Sequence, residues 1–220
     1  MGDVIVYRYI KRFIDIVLSF ILLIVLSPLI GIVALLILLQ HDGPILFKQE
    51  RPGKDGKIFM LHKFRTMSTV TEKDGRTLSD MERISKFGNF LRKTSIDELP
   101  QFFDILRGKM SFIGPRPLVK NYLPLYNKRQ MRRHEVLPGI SGWAQINGRN
   151  TISWEEKFEL DVYYVDHMSF ALDVKIFFLT LKNVIMRSGI NSSESNTMEP
   201  FLGTPETSDT KQTVAAGDRE

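Results

Sequence analysis

Cysteine is absent from the 220 residues. Its absence excludes a disulfide framework, a thiolate nucleophile and any zinc or iron-sulfur centre built on cysteine, and it leaves only oxygen or imidazole ligands for a metal. Histidine is nearly as scarce. The four present, His41, His62, His134 and His167, are scattered without the paired spacing of a metal site, and each reads as a surface or capping residue. Walker A and G-x-G-x-x-G loops are missing, and neither Ser27 nor Ser141 sits in a G-x-S-x-G elbow. Hydrolase triads and dinucleotide binding therefore drop out. The length leaves room for one domain with an appendage, and no repeat is visible.

Charge is missing from one long stretch and concentrated elsewhere, which the mean hydropathy of -0.09 conceals. Residues 191–220 are polar, with two basic residues (Lys211, Arg219) against six acidic ones (Glu194, Glu199, Glu206, Asp209, Asp218, Glu220), and read as a disordered acidic tail. This tail nets -4 within a whole-chain charge of +5, so residues 1–190 carry +9. A body that basic suits an anionic partner: nucleic acid, acidic lipid headgroups or a phosphorylated substrate.

Ile16 to Leu39 holds 24 residues without a charge. As a straight helix it would extend ~36 Å, enough for a ~30 Å hydrocarbon core. Two readings follow, a single transmembrane anchor and a hairpin that enters one leaflet and returns. Ser27-Pro28 lies mid-run, where proline removes a backbone donor and breaks or kinks a helix. Arg8, Lys11 and Arg12 precede the run and Lys48, Arg51, Lys54 and Lys57 follow it, so a crossing would put one basic flank on the wrong side.

The remainder reads as mixed α and β, mostly α. Ile45 to Gln49 and Lys57 to Thr66 are expected as strands joined by the turn RPGKDGK. Helices are expected at Asp80 to Arg92, Asp97 to Arg107, Leu118 to His134, Trp154 to His167 and Ser169 to Ser188. In the last of these, Val174, Phe177, Phe178, Leu181 and Ile185 form an apolar stripe that suits either a bilayer interface or a soluble core. Lys128, Arg129, Arg132 and Arg133 make a basic helix face of the solvated kind.

Chemistry-bearing residues are densest between Leu91 and Leu118. Asp97 and Glu98 are adjacent carboxylates preceded by Arg92 and Lys93. Neighbours on a helix project ~100° apart, so the two would act separately rather than share a proton. A helix start explains them equally well, with Ser95 as N-cap and Glu98 closing a capping box. Arg116, between Pro115 and Pro117, is presented by a stiff backbone that suits phosphate recognition or a plain structural turn. Lys63 and Arg65 would share one strand face, and Arg149 lies in the turn-rich GISGWAQINGRN; both elements could converge on the same anion.

RPG at Arg51 to Gly53, KFRTM at Lys63 to Met67, SIDELPQ at Ser95 to Gln101, MSFIGPRP at Met110 to Pro117 and PGISGWAQINGR at Pro138 to Arg149, together with the Ser27-Pro28 break, make the chain resemble the bacterial sugar transferases, the monotopic polyprenyl-phosphate phosphoglycosyl transferases. The likeness runs from Tyr7 to Gly189 with the motifs in one order, and by eye the small members acting on UDP-N,N'-diacetylbacillosamine are most similar. It implies an α+β, mostly α fold with a re-entrant membrane helix over residues 1–40 and a cytosolic domain over 41–190, and the acidic tail over 191–220 is no part of the family core. It also implies transfer of a sugar phosphate from an N-acetylated UDP-sugar to undecaprenyl phosphate on the cytoplasmic face of the inner membrane, releasing UMP. Membrane phospholipid is then a partner, nucleic acid is not, and glycosyltransferases of glycoconjugate or protein glycosylation assembly would follow.

By the same resemblance Asp97 is the nucleophile and a ligand of Mg²⁺, Glu98 completes the catalytic dyad, and Lys63, Arg92, Arg116 and Arg149 contact phosphate. Ser27 and Pro28 correspond to the helix break, which favours the hairpin. Two positions depart from the family pattern: Lys109 stands where an acidic residue is common, and Asp104 where asparagine is frequent, and their charges are expected to pair locally. The competing class is a membrane-tethered, non-catalytic binder of acidic lipid or nucleic acid, suggested by the +9 body but lacking any helix-turn-helix, RNP or zinc-finger signature.

Overall fold

The computed structural model describes residues 2–40, 43–73, 75–148, 152–186 and 199–204. The chain opens with helix α1 (Gly2–Val25) and helix α2 (Ser27–Gln40), bent by 62° at the Ser27-Pro28 break. Pro28 has no N–H to give to the Ile24 carbonyl, and the Ser27 hydroxyl donates to that oxygen instead, at 2.8 Å. The break is thus chemically capped. Among the described residues no single helix is long and apolar enough to cross a membrane, whereas the bent pair together is.

Strands β1 (Leu46–Pro52) and β2 (Ile58–Phe64) form the expected antiparallel hairpin, with Lys48 opposite His62 and Arg51 opposite Phe59. Asp55 and Gly56 take left-handed conformations in the turn, φ +56° and +70°. A two-residue pair, β3 (Glu72–Lys73) and β4 (Arg76–Thr77), follows. The helix expected over Asp80 to Arg92 is two, α3 (Asp80–Arg83) and α4 (Lys86–Lys93), because Ser85 turns extended and its hydroxyl accepts from the Gly88 N–H at 2.9 Å.

Helix α5 (Gln101–Leu106) begins four residues later than expected, since Ile96 to Glu98 wind as a 3₁₀ turn ahead of Pro100. Two three-residue strands not foreseen from the sequence, β5 (Ser111–Ile113) and β6 (Gly139–Ser141), pair in parallel. They are too short for alternation to reveal them. A Cβ on Gly139 would lie 2.1 Å from the Gly114 nitrogen, so only glycine permits this approach. The helix expected over Leu118 to His134 is also interrupted: Pro124 lies in a 3₁₀ stretch, and Asn127 starts α6 (Lys128–Met131) through a capping box with Gln130. Helices α7 (Trp143–Ile146), α8 (Trp154–His167) and α9 (Phe170–Ile185) complete the body.

Helix α1 is fastened to that body by the basic residues that flank the apolar run. Arg12 donates to the carbonyls of Ile105 and Leu106 at the end of α5, at 2.6 and 3.0 Å, and Lys11 and Tyr7 converge on Asp173 of α9. Helix α2 buries Val33 and Ile37 against Phe64 and Leu91, while Leu29, Ile32, Leu35, Leu38 and Leu39 face outward. On α9 the side turned inward carries Asp173 and Ile176, whereas Phe177, Phe178 and Leu181 of the predicted stripe are exposed. The stripe is not a core face. Residues 199–204 depart from the structureless tail expected there, because Phe201 is buried among the aromatic side chains of Tyr126 and Phe158.

Candidate active site

The 3₁₀ turn carrying Asp97 and Glu98 follows Ser95, whose φ of +56° and ψ of +18° place a β-substituted residue in the left-handed region. Such a conformation costs roughly 1–2 kcal/mol. Ser95 makes no capping bond, so the capping box with Glu98 is not formed. Glu98 points elsewhere: its Oε1 accepts from Lys63 Nζ at 2.6 Å and from Arg116 Nη2 at 2.9 Å. Burial alone would raise the Glu98 carboxyl, but Arg116 and Lys63 overcome it and hold the group at about 2.

Asp97 has the opposite electrostatics. It is 8% exposed and accepts no hydrogen bond among the described residues. Burial pushes its carboxyl above the ordinary value, reinforced by the charge of Glu98 and opposed by Lys63, Arg92 and Arg116. The two carboxylates therefore sit in different environments: Glu98 is ion-paired to Lys63 and Arg116, and Asp97 is buried with no hydrogen bond among the described residues.

Of the predicted phosphate contacts, Lys63, Arg92 and Arg116 surround the dyad, and Arg149 lies outside the described residues. Arg65 does not join them, because its Nε donates to the Pro44 carbonyl at 2.7 Å. Arg92 is held by Thr66, whose hydroxyl accepts from Nε at 2.8 Å. The Thr66 backbone in turn lies against Gly88, where a Cβ would stand 2.0 Å from the Thr66 carbonyl oxygen. Nothing in the linear motif marks Thr66 as the partner of an arginine 26 residues away.

Arg116 is supported from behind by Arg133. That guanidinium is buried, gives two hydrogen bonds to Asp161 Oδ2 at 3.0 and 2.7 Å, and donates to the Arg116 carbonyl at 2.8 Å. Of the predicted solvated basic face, Lys128 and Arg129 are exposed and Arg132 is half-buried, with Arg129 pairing with Glu159 and Arg132 with Asp166 across to α8, and Arg133 alone departs from it by being buried. Arg51, from the RPG motif, is a further cation that sequence reasoning did not place at the site. It donates to the Pro117 carbonyl at 3.2 Å, and burial together with the nearby Arg116 lowers it to about 10.

The expected pairing of Asp104 with Lys109 does not occur. Asp104 is buried and accepts from the His62 backbone at 3.0 Å, with the His62 ring Nδ1 2.7 Å away, whereas Lys109 is exposed and touches Asp104 only through backbone atoms. His134 is likewise no surface residue; it is buried with Nδ1 3.0 Å from the Gly53 carbonyl, and burial lowers it to about 4.

A buried, unpaired carboxylate ringed by fixed cations is equipped to attack an electrophilic phosphorus carrying several negative charges. The sequence is similar to those of several known proteins. Uncharacterized sugar transferase EpsL of Bacillus subtilis is 50% identical over 198 residues, covering 90% of this chain and 98% of that protein. UDP-glucose:undecaprenyl-phosphate glucose-1-phosphate transferase of Escherichia coli is 43% identical over 187 residues, 80% of this chain but 40% of the relative. UDP-N-acetylgalactosamine-undecaprenyl-phosphate N-acetylgalactosaminephosphotransferase of Aeromonas hydrophila is 39% identical over 193 residues, 84% of this chain and 45% of the relative. The chain thus spans less than half the length of the latter two. The bacterial sugar transferase model matches residues 6–187, which take in the bent helices, the dyad and every described cation around it. With the family model matching residues 6–187 and a relative 50% identical along nearly its whole length, this chain belongs to the bacterial sugar transferase family.

Proposed function

We propose that the protein is a polyprenyl-phosphate phosphoglycosyl transferase, moving a sugar 1-phosphate from a UDP-sugar to undecaprenyl phosphate. The observation that carries this reading is the division of labour in the dyad: Glu98 is committed to Lys63 and Arg116, while Asp97 stays free beside the same cations. An Asp97 oxygen attacks the phosphorus next to the sugar, the bond from that phosphorus to the bridging oxygen breaks, and UMP leaves with the bond's electrons. An oxygen of the acceptor phosphate then attacks the aspartyl phosphosugar, restoring Asp97 and giving the lipid diphosphosugar. Lys63, Arg92 and Arg116 stabilise charge on the phosphoryl oxygens in both halves. The lipid product would feed glycosyltransferases that extend the sugar.

Magnesium fits this donor set. Asp97, whose carboxylate accepts no hydrogen bond among the described residues, is the hard oxygen donor that would hold the ion, and Mg²⁺ is commonly held by one or two protein carboxylates beside substrate phosphates. Such an ion neutralises diphosphate charge.

Re-entrant placement is supported by the capped bend at Ser27-Pro28 and by the outward apolar residues of α1, α2 and α9, and the basic residues on both flanks of the apolar run favour the cytoplasmic face. Phe177, Phe178 and Leu181 would rest in the bilayer interface. The deciding experiment is UMP release by purified protein with undecaprenyl phosphate, Mg²⁺ and a donor panel of UDP-glucose, UDP-galactose and N-acetylated UDP-sugars, UDP-N,N'-diacetylbacillosamine included. Release with an N-acetylated donor and ping-pong kinetics is expected. Silence with every donor would overturn the reading.

A further inference from the structure

The family match stops at residue 187, yet residues 199–204 return to the body. Phe201 is 3% exposed and inserts among Tyr122, Tyr126, Trp154 and Phe158, with ring centroids 5.7, 5.9, 5.6 and 5.0 Å away. Polar bonds hold the segment on both sides of the ring: Trp154 Nε1 donates to the Glu199 carbonyl at 2.9 Å, and Gln130 Nε2 donates to the Thr204 hydroxyl at 2.7 Å. Leu202, next in sequence, is 87% exposed, so a single side chain enters the cage. One buried aromatic with flanking backbone and hydroxyl ties is the pattern of a short peptide docked in a groove.

The walls of the cage lead to the active site. Tyr126 and Phe158, which touch Phe201, also flank the Arg133 guanidinium, each ring centroid 5.7 Å from its central carbon. Arg133 Nη1 donates to the Tyr126 hydroxyl at 3.3 Å, and Nη2 donates to the Arg116 carbonyl at 2.8 Å. Arg116 is the residue that meets Glu98. From Phe201 to the anion-binding arginine there are two intervening side chains, all of them packed.

We propose that the aromatic cage is a docking site for the chain's own Pro200-Phe201 segment, and that its occupancy positions Arg116 through Arg133. Phe201 is then a positioning residue supplied from beyond the family core. Emptying the cage frees Tyr126 and Phe158 to rotate, loosens Arg133 between them and shifts the backbone that presents Arg116. The effect on catalysis rests on the transferase reading above; the docking itself does not.

The test compares the full chain with Phe201→Ala and Phe201→Leu, and adds in trans a peptide of residues 197–206, TMEPFLGTPE, or its version with alanine for phenylalanine. Trp154 forms a cage wall, so docking is read from tryptophan emission independently of turnover. Phe201→Ala is expected to change the emission, and the peptide to reverse it saturably while the alanine peptide does nothing. For turnover, kcat/KM for the UDP-sugar should fall roughly 10-fold or more, mainly through KM, as a misplaced binding group would cause. Phe201→Leu and the added peptide should each restore most of it. Unchanged emission in Phe201→Ala overturns the docking site. Parental kcat/KM in Phe201→Ala, or a loss that neither leucine nor peptide restores, overturns the positioning role. Should the parent release no UMP with any donor, the transferase reading and the positioning role fall together, and the emission arm still decides docking.

Discussion

Glu98 receives the Lys63 ammonium at 2.6 Å on the same oxygen that accepts from Arg116, and this leaves Asp97, its neighbour in the chain, without a hydrogen-bond partner among the described residues. Both bonds fall on Glu98 Oε1, so two of the nearby cations are committed to one carboxylate while the adjacent one stays unpaired. A buried acid that is already ion-paired and hydrogen-bonded makes a poor nucleophile, because its lone pairs are engaged.

Asp97→Asn is therefore expected to abolish the first half-reaction. UMP release should fall by roughly 10³-fold or more, the scale on which covalent nucleophiles matter, with the melting temperature preserved or raised. A rise is physically reasonable because the substitution removes a buried charge that burial disfavours. Full turnover by this variant would refute the nucleophile assignment.

The dyad also sets two acid titrations with different causes. Glu98 is held at about 2 against an ordinary 4.5, so its contribution to stability is complete above 4.5 and disappears as pH falls toward 2. That contribution is on the order of 3 kcal/mol. Glu98→Gln should flatten the stability profile across that window in denaturant titrations. Asp97 shifts the other way, so in the protein without added Mg²⁺ its carboxyl should titrate above the ordinary carboxylate value of 3.8 when followed by NMR. A titration at or below 3.8 counts against burial of the free carboxylate.

Topology is measurable with unusual cleanliness because the chain has no cysteine of its own. Single cysteines at Asp3 and Lys54 should both react with an impermeant maleimide from the cytoplasmic side alone. Pro28→Ala restores the N–H that the Ile24 carbonyl lacks, so a straighter helix should form and a share of residue 3 should become reachable from the opposite face. Labelling of residue 3 from outside in the parent would establish a bitopic anchor instead.

Asp161→Ala should strand the Arg133 guanidinium, whose side chain is 1% exposed. Removing one member of a buried pair costs about 3–5 kcal/mol. The melting temperature should drop accordingly, with KM for the donor rising through the Arg116 carbonyl contact. A milder change of under about 1 kcal/mol, within the range of an exposed pair, would show that Arg133 is hydrated rather than buried.

What the sequence determined by itself is what short stretches of backbone chemistry control. Ser27-Pro28 breaks the apolar run because proline lacks a donor, RPGKDGK turns the hairpin because Asp55 and Gly56 tolerate positive φ, and the Asp97-Glu98 dyad with Lys63, Arg92 and Arg116 was legible as an ordered motif set. Tertiary structure decided the rest, because it concerns pairs distant along the chain. Glu98 could cap its own turn or neutralise Lys63 and Arg116, which lie 35 and 18 residues away, and only packing selects the second. The same holds for Asp104, which meets His62 rather than Lys109, and for Arg133, which helical periodicity turns toward solvent and Asp161 draws into the core. Phe201 lies in a segment whose composition reads as tail, and no local rule anticipates that four aromatic rings from two distant stretches close around it. Burying that ring removes apolar surface from water, a free-energy term that exists only once the cage has been assembled.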